Sequence, residues 1–128
     1  MMTETEVTKE LKTVLVVDDD PMHLKIFAWM LKRQGYEVVP AHVQSESVDL
    51  RKDKDVDMVL LDYMFKSSLK APDVARMVKE AHPGAPIIVL SQLEWMPEEM
   101  MQFATTFVQK GDPKRLFEHL ERLSKEQK

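Results

Sequence analysis

Three short apolar runs constrain the fold more than any other feature: TVLVV at 13–17, MVLL at 58–61 and PIIVL at 86–90. All are rich in β-branched residues, and none alternates polar with apolar. A strand with one wet face alternates. A continuous run needs cover on both faces, which suits parallel strands lying between layers of helices. Two weaker runs, 36–39 and 106–108, bring the set to five.

Helical patterns separate the runs. Residues 21–34 carry Met22, Ile26, Phe27, Met30 and Leu31 at three- and four-residue spacing. Asp20 fits the N-cap, Pro21 the first helical position and Gly35 the stop. Residues 45–51 are expected to form a short second helix. Residues 73–81, with Val74, Met77, Val78 and Ala81, form a third that ends at His82-Pro83-Gly84. Residues 97–104 form a short fourth, with Glu98 and Glu99 in the first turn, where the helix dipole favours them. Asp112-Pro113 caps a fifth, with Leu116, Leu120 and Leu123 on one face. The order βαβαβαβαβα predicts an α/β domain whose parallel sheet has helices on both sides.

The chain has 128 residues, enough for one domain with a real core. A polar tail over residues 1–11 precedes the domain at 12–127. The net charge of −4 offers no strong positive field and argues against direct nucleic-acid binding. The absence of cysteine excludes disulfides and thiolate metal sites. No stretch reaches the roughly 20 apolar residues of a membrane span, and the N-terminus lacks the apolar core of a signal peptide, so a cytoplasmic protein is expected.

The strand ends carry the chemistry. The first run ends at Asp18-Asp19, the third at Asp62, the fourth at Ser91, and the fifth, after Gln109, at Lys110. Ligands bind outside the carboxyl ends of the strands in open α/β sheets. If the strands are parallel, these groups meet there. Three carboxylates in close quarters need a cation, and an all-oxygen set suits Mg2+. A carboxylate beside a divalent ion, a lysine and a hydroxyl suits phosphoryl transfer, the carboxylate attacking and the cations stabilising charge.

VVDDDP after the first strand, LLD after the third, LS after the fourth and FVQK after the fifth together resemble the receiver domain of two-component response regulators, of the chemotaxis-response-regulator type. The resemblance covers about residues 12–127. It implies a three-layer αβα, doubly wound five-stranded parallel sheet of order 2-1-3-4-5 (flavodoxin-like), with two helices on one face and three on the other. It implies Asp62 as phosphoacceptor and Mg2+ held by Asp18, Asp19, Asp62 and the backbone carbonyl of Met64, with Asp19 favoured over Asp18 as a direct ligand. Ser91 would bond a phosphoryl oxygen, Lys110 would pair with it, and Ser91 and Phe107 would be the switch pair. The phosphodonor would be a sensor histidine kinase or a phosphotransfer protein. Such a domain catalyses its own modification and turns over no independent substrate. Output would pass to a protein partner through the face of the fourth helix, fifth strand and fifth helix, with a homodimer as a further option. With no DNA-binding segment up to residue 128, output is expected through protein contact, or the domain belongs to a longer chain.

Several positions depart from the family pattern. Gln92 follows Ser91, where a small residue is usual. Phe65 and Lys66 stand where Met-Pro is common. The loop SSLKAPD is long and lacks glycine, and Gly111 replaces a frequent proline. The stretch from Ser91 to Lys110 is short, so the fourth helix is expected to be truncated or rearranged. Met64 and Leu93 occupy the two variable positions flanking the phosphoryl site. Both are apolar and neither can orient water, so slow hydrolysis of an acyl phosphate is expected. Two alternatives remain open: a phosphorylation-independent pseudo-receiver acting as an interaction module, and a haloacid-dehalogenase-like phosphatase, whose D-x-D pattern Asp18 and Asp20 match but Met22 does not continue. Met96, Met100, Met101 and Trp95 are either core filling or a partner surface. His23, His42, His82 and His119 are read as surface or helix-end residues.

Overall fold

The structure, a computed structural model, describes residues 11–126. The proposed polar tail therefore lies, except for Leu11, outside the described residues. Five strands, β1 (Thr13–Asp18), β2 (Glu37–His42), β3 (Met58–Asp62), β4 (Ile87–Ser91) and β5 (Thr106–Gln109), form one sheet of order β2-β1-β3-β4-β5. Every neighbouring pair is parallel. The architecture is that of the flavodoxin-like class. Pro40 is accommodated because β2 is an edge strand, where a missing N–H need not break a ladder.

Three α-helices cover the sheet: α1 (Pro21–Arg33), α2 (Ala71–Ala81) and α3 (Pro113–Glu126). The continuous apolar runs split between the two faces as expected. Val14, Val16, Met58, Leu60, Ile88 and Leu90 pack on Leu24 and Leu31 of α1 and on Leu116, Leu120 and Leu123 of α3. Leu15, Val17, Val59, Leu61, Ile87 and Val89 pack on Val74, Ala75 and Val78 of α2 and on Met100. β1, β3 and β4 are buried along almost their whole length.

Local chemistry sets the helix ends. Asp20 caps α1, its carboxylate accepting the Met22 N–H at 2.9 Å. Asp73 reaches back to the Lys70 N–H at 3.2 Å, holding the start of α2. Asp112 accepts the Arg115 N–H at 3.2 Å at the start of α3.

Two expected helices are not formed. Residues 45–51 are irregular. Val48 and Leu50 face inward two residues apart, an extended spacing that a helix cannot bury on one side. Asp49 instead bonds the Arg51 N–H at 2.9 Å, a local turn that competes with helix, and Arg51 takes φ 56°. His82, read from sequence as a surface or helix-end residue, does end α2 but is buried there, and it fastens this segment through a 2.7 Å contact from its Nε2 to the Leu50 carbonyl oxygen. Residues 97–104 contain only a 3-10 turn at Glu98–Met100. Between β4 and β5 the chain forms no regular helix beyond this turn, the rearrangement that the short Ser91–Lys110 spacing anticipated. So the sheet face opposite α1 and α3 carries one helix, the 3-10 turn and coil rather than three helices.

Candidate functional site

Strand register assembles the site. Val17 pairs with Leu61, and Asp62 pairs with Leu90. The next residue of β1, Asp18, therefore lies beside Asp62. Both carboxylates are buried, at 2% and 4% exposure, where a lone charge is costly. The ladder continues one step past β5, the Lys110 N–H donating to the Ser91 carbonyl at 2.7 Å. The turn then closes at Gly111 with φ 89°, a conformation that a side chain would strain. This brings the Lys110 Nζ to 2.7 Å from Asp62 Oδ1.

One lysine for two buried carboxylates leaves negative charge uncompensated. The Asp18 carboxyl is pushed up to about 6, first by burial and then by the charge of Asp62. The Asp20 N–H, which donates to Asp18 Oδ1 at 3.1 Å, His23 and Lys110 oppose that rise. A carboxyl pair held in this condition suits an added cation.

A cavity of about 490 Å³ opens beside Asp62 and Lys110, lined also by Asp19, Asp20, Pro21, His23, Met64, Lys66 and Gln92. Asp19 faces it with Oδ2 accepting the Lys66 N–H at 2.6 Å, and its carbonyl oxygen lies 3.1 Å from His42 Nε2. Met64 sits at the mouth, its N–H 3.5 Å from Asp62 Oδ1. Ser91 is fully buried at the end of β4, and its Oγ accepts the Leu93 N–H at 3.0 Å. Gln92 reaches the cavity wall, and its carbonyl accepts the Gln109 side-chain amide at 3.3 Å. Phe107 is half-buried, paired with Val89 and packed into the core on the α2 side.

Sequence reasoning missed His23. Its Nδ1 lies 3.3 Å from Asp18 Oδ2 and its Nε2 3.5 Å from Asp20 Oδ2. Asp18, His23 and Asp62 each bring one donor atom within 4.8 Å of the others. The available signal was its position three residues after the Asp20 cap, one helical turn on, which points a side chain back over the strand end.

The fold and this acidic strand-end site define the receiver class, and the chain belongs to the response regulator receiver domain family, whose model matches residues 14–121. It is 32% identical over 91 residues to the cell cycle transcriptional regulator CtrA of Caulobacter vibrioides, a match covering 71% of this chain and 39% of CtrA. This chain thus spans about two-fifths of that relative. The chemotaxis response regulator CheY4 of Vibrio cholerae superposes with a TM-score of 0.74 at 23% identity, covering 89% of this chain and 99% of that one. TrrA of Thermotoga maritima, solved in complex with Mg2+ and BeF, superposes with a TM-score of 0.71 at 25% identity, covering 88% and 99% of the two chains.

Proposed function

We propose that this chain is cytoplasmic, that Asp62 accepts a phosphoryl group from a sensor histidine kinase or phosphotransfer protein, and that the modified domain signals through protein contact. The observation that carries this reading is the 2.7 Å pair between Lys110 Nζ and the buried Asp62 carboxylate, with a second carboxylate, Asp18, alongside. A carboxylate oxygen of Asp62 attacks phosphorus of a phosphohistidine. The P–O bond forms as the P–N bond breaks, and the imidazole leaves with its electron pair and takes a proton from solvent. Lys110 balances charge on the transferred group, and the Ser91 hydroxyl donates to one of its oxygens.

The carboxylates fit a hard divalent ion, and Asp18, Asp19, Asp62 and the Met64 carbonyl would hold Mg2+. When bound, that ion supplies positive charge to the phosphoryl oxygens. Phosphorylation then draws Ser91 toward the new group and biases the segment between β4 and β5, with Phe107 behind it. Trp95 and Met101 are exposed on that segment and offer apolar contact to a partner or a second copy of the chain. Met100 of the same turn is core.

Purified protein treated with acetyl phosphate should gain one phosphoryl mass in Mg2+ and none in EDTA, and Asp62→Asn should abolish the gain. No gain in folded protein with acetyl phosphate, with a cognate phosphodonor, or as beryllofluoride binding would sink this reading. A phosphorylation-independent interaction module would take its place.

A further inference from the structure

We infer that His23 is a nitrogen ligand of the metal site, so that the site favours a first-row transition ion such as Mn2+ over Mg2+ more strongly than carboxylates alone would. The inference rests on the metal-assisted reading above but concerns a residue outside its ligand set. Three observations carry it. Asp18, His23 and Asp62 place one donor atom each within 4.8 Å of one another, the spacing at which a single ion can bridge all three. Asp19 stands outside that cluster, and its Oδ2 accepts the Lys66 N–H at 2.6 Å.

The third observation concerns the far side of the imidazole. Nδ1 faces Asp18 at 3.3 Å, while Nε2 faces Asp20 Oδ2 at 3.5 Å. Asp20 is itself fixed, its other oxygen capping α1 through the Met22 N–H. A carboxylate behind the second ring nitrogen is the usual support of a metal-bound histidine, since it sets the tautomer and the ring orientation. His23 is also 44% exposed on its side chain, so an ion can reach it from solvent. Imidazole nitrogen suits first-row transition ions, Mn2+ least strongly among them, whereas Mg2+ takes oxygen ligands and keeps its waters.

The test uses the full chain freed of metal with EDTA and titrated with Mn2+. Pulsed EPR of the bound Mn2+ should show a directly coupled nitrogen whose pattern changes when the protein is labelled with 15N-histidine. His23→Gln should remove that coupling and weaken Mn2+ binding by roughly tenfold or more, while Mg2+ affinity falls by less. Bound Mn2+ without nitrogen coupling in the wild type, no Mn2+ binding at all, or an unchanged Mn2+/Mg2+ ratio in the variant would each overturn the inference. The labelled wild-type spectrum stands whether or not the variant folds. Acetyl phosphate labelling of the same preparation separates the two readings. Mass gain without nitrogen coupling sinks the His23 assignment alone, and nitrogen coupling with no mass gain from acetyl phosphate or a cognate phosphodonor and no beryllofluoride binding sinks the phosphoacceptor assignment alone.

Discussion

Asp18→Asn should make the metal-free protein more stable at neutral pH. The Asp18 carboxyl rises from 3.8 to about 6 in the folded state, burial being the main cause and the Asp62 charge the second. Ionising it in the fold at neutral pH therefore costs about 3 kcal/mol relative to the unfolded chain. Between roughly pH 4 and 6 the folded protein holds a proton that the unfolded chain has released. The favourable contribution of that proton is complete at low pH and is lost as pH rises through about 6. Asparagine removes the charge and keeps an oxygen to accept the Asp20 N–H, a 3.1 Å bond in the native site. Urea unfolding in EDTA at pH 7.5 should show the variant more stable by about 2–3 kcal/mol, or roughly 10 °C in thermal midpoint. The gain should shrink to about half at pH 5. Adding Mg2+ should narrow the gap by stabilising the wild type. A variant no more stable than wild type at pH 7.5, or a gain that grows on acidification, would refute the reasoning.

Lys110→Met removes the cation 2.7 Å from Asp62 and should slow phosphorylation by acetyl phosphate about 100-fold, read by time-resolved intact mass; a rate within about threefold of wild type would remove Lys110 from the chemistry. Met100 has no exposed surface, so Met100→Ala should cost about 2–4 kcal/mol in urea unfolding and speed amide exchange across residues 92–105; an unchanged exchange rate would mean that the segment is held elsewhere. Met64 is 59% exposed at the cavity and Leu93, two residues after Ser91, is 38% exposed; on the proposed reading neither can orient an attacking water, so the aspartyl phosphate should last minutes or longer, and Met64→Asn should shorten its life several-fold. A half-life of seconds in the wild type would contradict that account.

The sheet was legible because its signal is local and redundant. Runs such as TVLVV and PIIVL are apolar at every position, so both parities find a core, and no register choice could hide them. The strand-end residues were legible for a related reason. A polar group directly after such a run has one place to go once the strands are parallel, and Asp18, Asp62 and Lys110 do converge. The helix at 45–51 misled because Ser, Glu and Val can join a helix. Its fate was decided by burial of Leu50 and by His82, 32 residues away in sequence, which no local pattern records. His23 escaped notice because its partners Asp18 and Asp20 were assigned separately, one to the metal and one to the cap, although a single side chain touches both.

Loss of regular helix on one face leaves the site intact because the site depends on the strands. Asp18 and Asp62 are held by β1 and β3, and Lys110 by the extra ladder bond to the Ser91 carbonyl. None of these depends on residues 45–51 or 97–104 being helical. What the rearrangement alters is the element next to the site. The Tyr63 hydroxyl, one residue after Asp62, donates to Glu99 of the 3-10 turn at 2.6 Å, and Met100 beside it is locked in the core. The hydrogen bond to that carboxylate, with some burial, pushes the Tyr63 phenol up to about 12, so it stays protonated and able to donate throughout the physiological range. A short turn with one buried anchor and one polar tether to the residue after Asp62 has less internal hydrogen bonding to keep it in place than a multi-turn helix. On the proposed reading, a shift at Asp62 would reach this turn, and Met101 next to it, through the Tyr63–Glu99 bond.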